Sequence, residues 1–193
     1  MLSRLAELDK QLFLALNKDL ANPFFDWLMP LLRNRFFWAP VYLFLLVFLS
    51  RNYKKYGWLM LVFLFLTFAF SDYLTSGIMK PLFERLRPCN DPGFNNEINL
   101  RIACGSGFSF PSSHAANHFG IALFITTIFY SRFKPIAGLS LVWAFSIAFA
   151  QVYVGVHYPF DVAAGALIGS IIGYLTGTFF LTLYKDKIWK PEL

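Results

Sequence analysis

At 193 residues, 57% hydrophobic and 20% aromatic with only 15% charged, the chain has the length of one domain and too much apolar surface for a soluble globule. Average soluble domains carry about 25% charged residues, so this composition excludes a disordered chain, a collagen-like chain and a disulfide-stapled miniprotein, and it argues for an integral membrane protein over a cytosolic enzyme. The net charge of +6 sits at the ends of apolar runs and not along one face, which fits membrane lipids and topology and gives no reason to expect a nucleic-acid partner.

Residues 1–35 carry Leu5, Leu8, Leu12 and Leu16 at helical spacing between charges, and a second short apolar stretch follows Asn22-Pro23. Charges interrupt both, which predicts amphipathic interfacial helices, with a hairpin dipping into the membrane as the competing reading. Arg4, Glu7, Asp9, Lys10, Lys18 and Asp19 leave no apolar core for a cleavable signal peptide.

From residue 36 the pattern changes. Apolar runs occupy 36–50, 57–79, 113–130, 136–156 and 160–184. A membrane-crossing helix needs about 20 residues, so five spans are predicted, or six if the N-terminal region inserts. Backbone polar groups in lipid must be satisfied within each segment, which predicts an all-α, integral membrane helix bundle over 36–193, preceded by the amphipathic region 1–35. Gly165, Gly169, Gly173 and Gly177 recur every four residues and predict a closely packed helix face.

Basic residues set the orientation. Arg51, Lys54 and Lys55 separate the first two runs, Arg132 and Lys134 the third and fourth, and Lys185, Lys187 and Lys190 follow the last. Alternation puts all three groups on one side, which the basic excess marks as cytoplasmic. Loop 81–112 and the turn at His157 then face the periplasm or exterior of the plasma (inner) membrane. Arg33 and Arg35 fit this assignment poorly. Cys89 and Cys104 flank the outer loop and would pair in an oxidising compartment. Two free thiols are the alternative, and neither cysteine has metal-ligand spacing.

The outer side holds nearly all the chemistry-bearing residues. Lys80 and Arg87, seven positions apart, suit a dianionic phosphate, with a point charge and a guanidinium fork. Pro111-Ser112-Ser113-His114 opens the third run, and a Ser-capped helix start is an anion site. In His157-Tyr158-Pro159-Phe160-Asp161, Pro159 at the first helical position puts the Asp161 carboxylate where it can reach back to His157. A carboxylate holding one ring nitrogen leaves the other to attack or to take a proton. Each feature has a plain structural alternative: a Ser cap, an Asp in a first helical turn, and cations snorkelling at a membrane edge. Together those alternatives require two His, two cations and an Asp to share one face by chance.

The order Lys-x6-Arg-Pro, Pro-Ser-x-His, His-x3-Asp resembles the type 2 phosphatidic acid phosphatase family, whose fold is shared with the vanadium haloperoxidases. Lys80, Arg87 and Pro88 match the first motif, Pro111, Ser112 and His114 the second, with Ser113 where the family usually has Gly, and His157 and Asp161 the third. The resemblance implies His157 as nucleophile through a phospho-histidine, Asp161 as its orienting group and His114 as acid and then base. It implies Lys80, Arg87, Ser112 and the backbone at Ser113 and His114 as the phosphate cradle, with no metal or other cofactor.

One departure stands out. The third motif normally begins Ser-Arg, and here those positions are Ala150 and Gln151. Gln151 can donate an amide N–H to the phosphate but no charge, and Arg101 and Arg85 are the candidates to supply it. A lost charged hydrogen bond costs about 1.5–3 kcal/mol, roughly one to two decades in rate. The implied substrate is a lipid-linked phosphate: undecaprenyl diphosphate first, lipid A phosphate second, with phosphatidylglycerophosphate and phosphatidic acid also in the family's range. Gln151 alone favours a catalytically weak lipid-binding scaffold. A flippase is suggested only by the spans, and charges gathered at one face argue against it.

Overall fold

The computed structural model describes residues 2–94 and 97–189, and every regular element among them is a helix. In chain order these are α1 (Leu2–Leu14), α2 (Pro23–Arg33), α3 (Ala39–Asp72), α4 (Lys80–Phe83), α5 (Ser113–Phe129), α6 (Ile136–Tyr153) and α7 (Pro159–Trp189). Widened π-helical turns extend α1 over Ala15–Asp19 and join α3 to α4 over Tyr73–Met79.

Local chemistry sets the boundaries. The Asn22 side chain accepts the Phe25 N–H at 2.9 Å and Pro23 takes the first position of α2. Within α3 the chain folds back at Lys54 (φ 49°, ψ −126°). The two arms meet so closely that a Cβ on Gly57 would lie 1.9 Å from the Leu49 carbonyl oxygen, so only glycine fits there. Stretches within Ala39–Phe94, Ile136–Tyr153 and Pro159–Trp189 are long and apolar enough to cross a membrane. Their outward faces present Phe44, Val62, Val142, Phe145, Leu167 and Phe179, side chains stable in contact with lipid.

Helix α5 is the centre of the bundle, packed on α3, α6 and α7. The glycine stripe of α7 faces it. A Cβ at Gly165, Gly169 or Gly173 would lie 2.2, 1.9 or 2.1 Å from the carbonyl oxygens of Ser112, Ala116 and Gly120 respectively. Small residues thus let two helix backbones touch, as the periodicity predicts. The contact also fixes register: the Ser112 N–H donates to the Asp161 carbonyl at 2.9 Å, so the N-termini of α5 and α7 lie side by side.

The two ends of the bundle differ. At one end Tyr53 meets Phe129 and Trp189 (ring centroids 5.7 and 5.8 Å), and Arg132 Nη2 donates to the Trp189 carbonyl at 3.3 Å. The basic segments around 51–55, 132–134 and 185–187 therefore gather there; Lys190 lies outside the described residues. The opposite end carries the candidate site, covered by α1 and α2. Leu5, Leu8 and Leu12 of α1 point outward, while Asp9, Phe13 and Asn17 point in and are fully buried. The Asn17 amide donates to the Asn99 and Tyr153 carbonyls (2.9 and 2.8 Å) and accepts the Asn99 N–H at 2.8 Å. Phe13 packs on Phe94 and Tyr158, and Phe25 on Tyr153. Cys89 and Cys104 form a disulfide, Cα–Cα 5.9 Å, that closes the loop between α4 and α5.

Candidate active site

The third motif is built by a turn and a helix start. Gly155 adopts φ +93°, a conformation that favours glycine. The chain reverses there, so that the Val156 and His157 N–H groups both donate to the Gln151 carbonyl (3.3 and 3.2 Å). Pro159 begins α7, and Asp161 in its first turn accepts the Tyr158 N–H at 2.9 Å through Oδ2. Oδ2 also stands 3.5 Å from His157 Nδ1. Arg87 Nη1 donates to His157 Nε2 at 3.3 Å. The network assigns the proton to Nδ1, toward Asp161, and the lone pair to Nε2.

His157 is 1% exposed. Burial lowers its pKa to about 4, with Arg87 and Lys80 adding to the effect and Asp161 opposing it. The imidazole is therefore neutral at neutral pH, the state a nucleophile needs. Arg87 is held by its own donations to the Gly107 and Val156 carbonyls (3.2 and 3.3 Å).

The second motif forms the start of α5. The Ser112 hydroxyl is its N-cap, accepting the Ala115 N–H at 3.4 Å. Ser113 Oγ lies 2.7 Å from Ser76 Oγ in the π-helical turn that precedes Lys80, which ties the first motif to the second. π-Helical turns often sit at functional sites. His114 follows, and one turn on, His118 Nδ1 donates to the His114 carbonyl at 2.7 Å.

These elements border one cavity of about 750 Å³. Its polar end carries Lys80, Arg87, Ser113 and His114, together with Arg33 and Arg35. Its body is apolar, formed by Leu45, Leu61, Leu64, Phe65, Phe68 and Ile121 from the arms of α3 and from α5. Of the residues singled out in sequence, Lys80, Arg87, Ser113 and His114 line this space. His157, Asp161, Ser112 and Gln151 are buried and do not line it; His157 Nε2 meets it through Arg87 Nη1 and Gln151 through Arg33 Nε. Among the described residues no group of three or more His, Cys, Asp or Glu side chains is arranged to hold a metal ion.

The structure corrects two expectations. Gln151 does not offer its amide to the cavity: it is 0% exposed, and its Oε1 accepts from Arg33 Nε at 3.0 Å. Arg85 and Arg101 do not reach the cavity either. Arg85 bridges Asp9 and Asp161, 2.7 Å from each, over the Tyr158 ring. Arg101 pairs with Asp26 and donates to the Asn17, Asn99 and Tyr153 carbonyls at 2.9–3.0 Å. Sequence reasoning missed Asp9, whose Oδ1 accepts the Phe160 N–H at 2.9 Å and so caps α7 beside the site. It also missed Arg33 as a cavity residue, although its poor fit to the charge topology was the visible signal.

Comparison with known proteins fixes the class. Residues 58–187 match the family model described as the PAP2 superfamily. Over 188 residues the chain is 36% identical to the lipid A 4'-phosphatase of Bacteroides thetaiotaomicron, covering 96% of this chain and 81% of that protein. Over 145 residues it is 31% identical to the undecaprenyl-diphosphatase of Sulfolobus acidocaldarius, covering 68% of each. The backbone matches the crystal structure of a PAP2-type phosphatidylglycerolphosphate phosphatase from Bacillus subtilis with a TM-score of 0.73, over 97% of this chain and 90% of that one at 23% identity, which shows the shared fold. A cationic pocket with imidazoles at one end of a membrane helix bundle is thus that of a lipid phosphate hydrolase. The chain belongs to the PAP2 superfamily, and the type 2 phosphatidic acid phosphatase resemblance read from its motifs holds.

Proposed function

We propose that this protein hydrolyses a phosphate monoester on a lipid A-type glycolipid, at the outer face of the inner membrane. The observation that carries this reading is a cavity whose cationic end adjoins an apolar body: the headgroup phosphate meets Lys80 and Arg87 while an acyl chain lies along α3 and α5. The substrate expected first from sequence, undecaprenyl diphosphate, is not favoured. The lipid A 4'-phosphatase relative matches across 96% of the chain, and the undecaprenyl-diphosphatase relative across 68%.

The chemistry follows the site. The lone pair of His157 Nε2 attacks phosphorus, and the bond between phosphorus and the lipid oxygen breaks. His114, protonated against the negative charge of the bound phosphate, gives the departing oxygen its proton and is left neutral. A water then gives a proton to His114 as its oxygen attacks the phospho-histidine. The P–N bond breaks, and inorganic phosphate leaves with His157 restored. Asp161 steadies the imidazole, and Lys80 and Arg87 with the N–H groups at the start of α5 stabilise charge on the phosphoryl oxygens.

Topology and compartment are part of the proposal. The two arms of α3 with α5, α6 and α7 make five crossings, and α1 and α2 lie on the outer surface. The basic end supports a cytoplasmic location for 51–55, 132–134 and 185–187. The Cys89–Cys104 disulfide supports an oxidising compartment for the opposite end.

The test is phosphate release by the purified protein in detergent from lipid A, undecaprenyl diphosphate and phosphatidylglycerophosphate, alongside His157→Ala. The reading predicts the highest kcat/KM on lipid A and none in the variant. Faster release from undecaprenyl diphosphate would overturn the substrate assignment, and equal rates in the variant would overturn the mechanism.

A further inference from the structure

The cavity holds a cation that the motifs do not account for. We propose that Arg33, in the last turn of α2, is a phosphate-gripping residue of this site, presented by the buried Gln151. Arg33 Nε donates to Gln151 Oε1 at 3.0 Å, and Gln151 is 0% exposed, so one edge of the guanidinium is anchored by a side chain that cannot move into the cavity. The Gln151 amide nitrogen has no hydrogen-bond partner among the described residues, so the bond from Arg33 is the side-chain hydrogen bond that Gln151 makes among them.

Arg33 itself lines the same space as Lys80, Arg87, Ser113 and His114. Its two terminal amino groups contact no protein acceptor among the described residues. The neighbouring charge that acts on Arg33 is that of Arg87, which is like-signed. Arg85 and Arg101, by contrast, are each held by carboxylates. A half-buried and a buried guanidinium lining one cavity repel unless an anion stands between them, and a phosphoryl group offers oxygens to both forks. The end of α2 is also held: Trp38, the residue before α3, donates Nε1 to the Leu32 carbonyl at 2.7 Å, and its ring meets Trp143 of α6 with centroids 6.0 Å apart. The charge absent at position 151 thus arrives from a different helix, and substrate binding depends on α2 being docked.

This inference rests on the reading of the cavity as a phosphate site, and its test separates the two. The full-length protein in detergent is titrated with inorganic phosphate, by calorimetry or thermal shift, and assayed on a lipid phosphate, as wild type, Arg33→Gln and Arg33→Gln/Gln151→Arg. Expected for Arg33→Gln are an unchanged melting temperature without phosphate, phosphate affinity and kcat/KM both down about 10- to 100-fold, and partial recovery of both in the double variant. Wild-type affinity and kcat/KM in a folded Arg33→Gln would overturn it, as would lost turnover with phosphate affinity intact. Should Arg33→Gln fail to fold, Arg33→Lys carries the test, since its point charge cannot both hold Gln151 and fork toward phosphate: intermediate affinity is expected, and wild-type affinity and turnover overturn the proposal. If the wild type releases no phosphate from any lipid while Arg33→Gln still loses phosphate affinity, the proposed function fails and this inference stands.

Discussion

Replacing Gly169 by Ala sets two opposed effects against each other, and the structure decides the sign. In an isolated helix the change stabilises by about 1 kcal/mol, because Gly is a poor helix former. Here the new Cβ would lie 1.9 Å from the Ala116 carbonyl oxygen and 2.7 and 2.8 Å from its C and Cα, all backbone atoms of α5. Ordinary contact begins near 3.5 Å, so α5 and α7 must part by more than an ångström, and overpacking of this kind costs about 1–3 kcal/mol or more. The net is destabilisation. The damage reaches the site, because this packing aligns the α5 and α7 N-termini through the Ser112–Asp161 backbone bond. A misplacement of about 1 Å can cost on the order of 10²-fold in rate. Gly138 in α6 is the control: a Cβ there meets nothing within 4 Å. Melting in detergent and lipid-phosphate hydrolysis are to be measured on both variants. Gly169→Ala is expected to melt lower and lose most activity, while Gly138→Ala stays at wild type or slightly above. A Gly169→Ala protein as stable and active as wild type would refute the close backbone contact.

His157, with its pKa lowered to about 4, stays neutral from pH 5 to 8. Ring NMR is expected to show no titration near pH 6.5 for the signal that vanishes in His157→Ala, and a titration there contradicts the burial argument. Because the folded pKa lies below the ordinary histidine value of about 6.5, this group contributes nothing to the pH dependence of stability above that value. It lowers stability as pH falls from about 6.5 toward 4, and His157→Ala should lose that part of the acid sensitivity in melting curves. Asp9→Asn leaves Arg85 with Asp161 as its only carboxylate partner among the described residues. A roughly tenfold fall in kcat with little change in KM is expected, as for an interaction felt mainly in the transition state; a change in KM alone would contradict it. Cys89→Ser opens a loop of sequence separation 15, which should cost about 3 kcal/mol, read as a lower melting temperature that reductant reproduces in the wild type.

What could be read from sequence follows from how local each signal is. The glycine stripe of α7 and the Pro159 start are short-range patterns, and both hold. The motif residues Lys80, Arg87, Ser113 and His114 do reach one cavity, because each sits within a few residues of a helix end whose depth the apolar runs dictate. The role of 1–35 was not legible. Its buried face is Asp9, Phe13 and Asn17, a stripe that is two-thirds polar and gives no apolar periodicity toward the protein. Those partners, Arg85, Tyr158, Asn99 and Tyr153, lie 76 or more residues away in the chain. The Arg33–Gln151 contact spans 118 positions and no pattern announces it. Arg85 and Arg101 looked available only because Asp9 and Asp26, which occupy them, were hidden by the same distance.

The most direct test of phosphoryl transfer to His157 is a rapid acid-free quench of the purified protein with a radiolabelled lipid phosphate, followed by peptide mapping. An acid-labile, base-stable label on the peptide that contains His157, absent from His157→Ala, is the expected result. Turnover of the wild type with no labelled protein at any time point, or label on another residue, would contradict it.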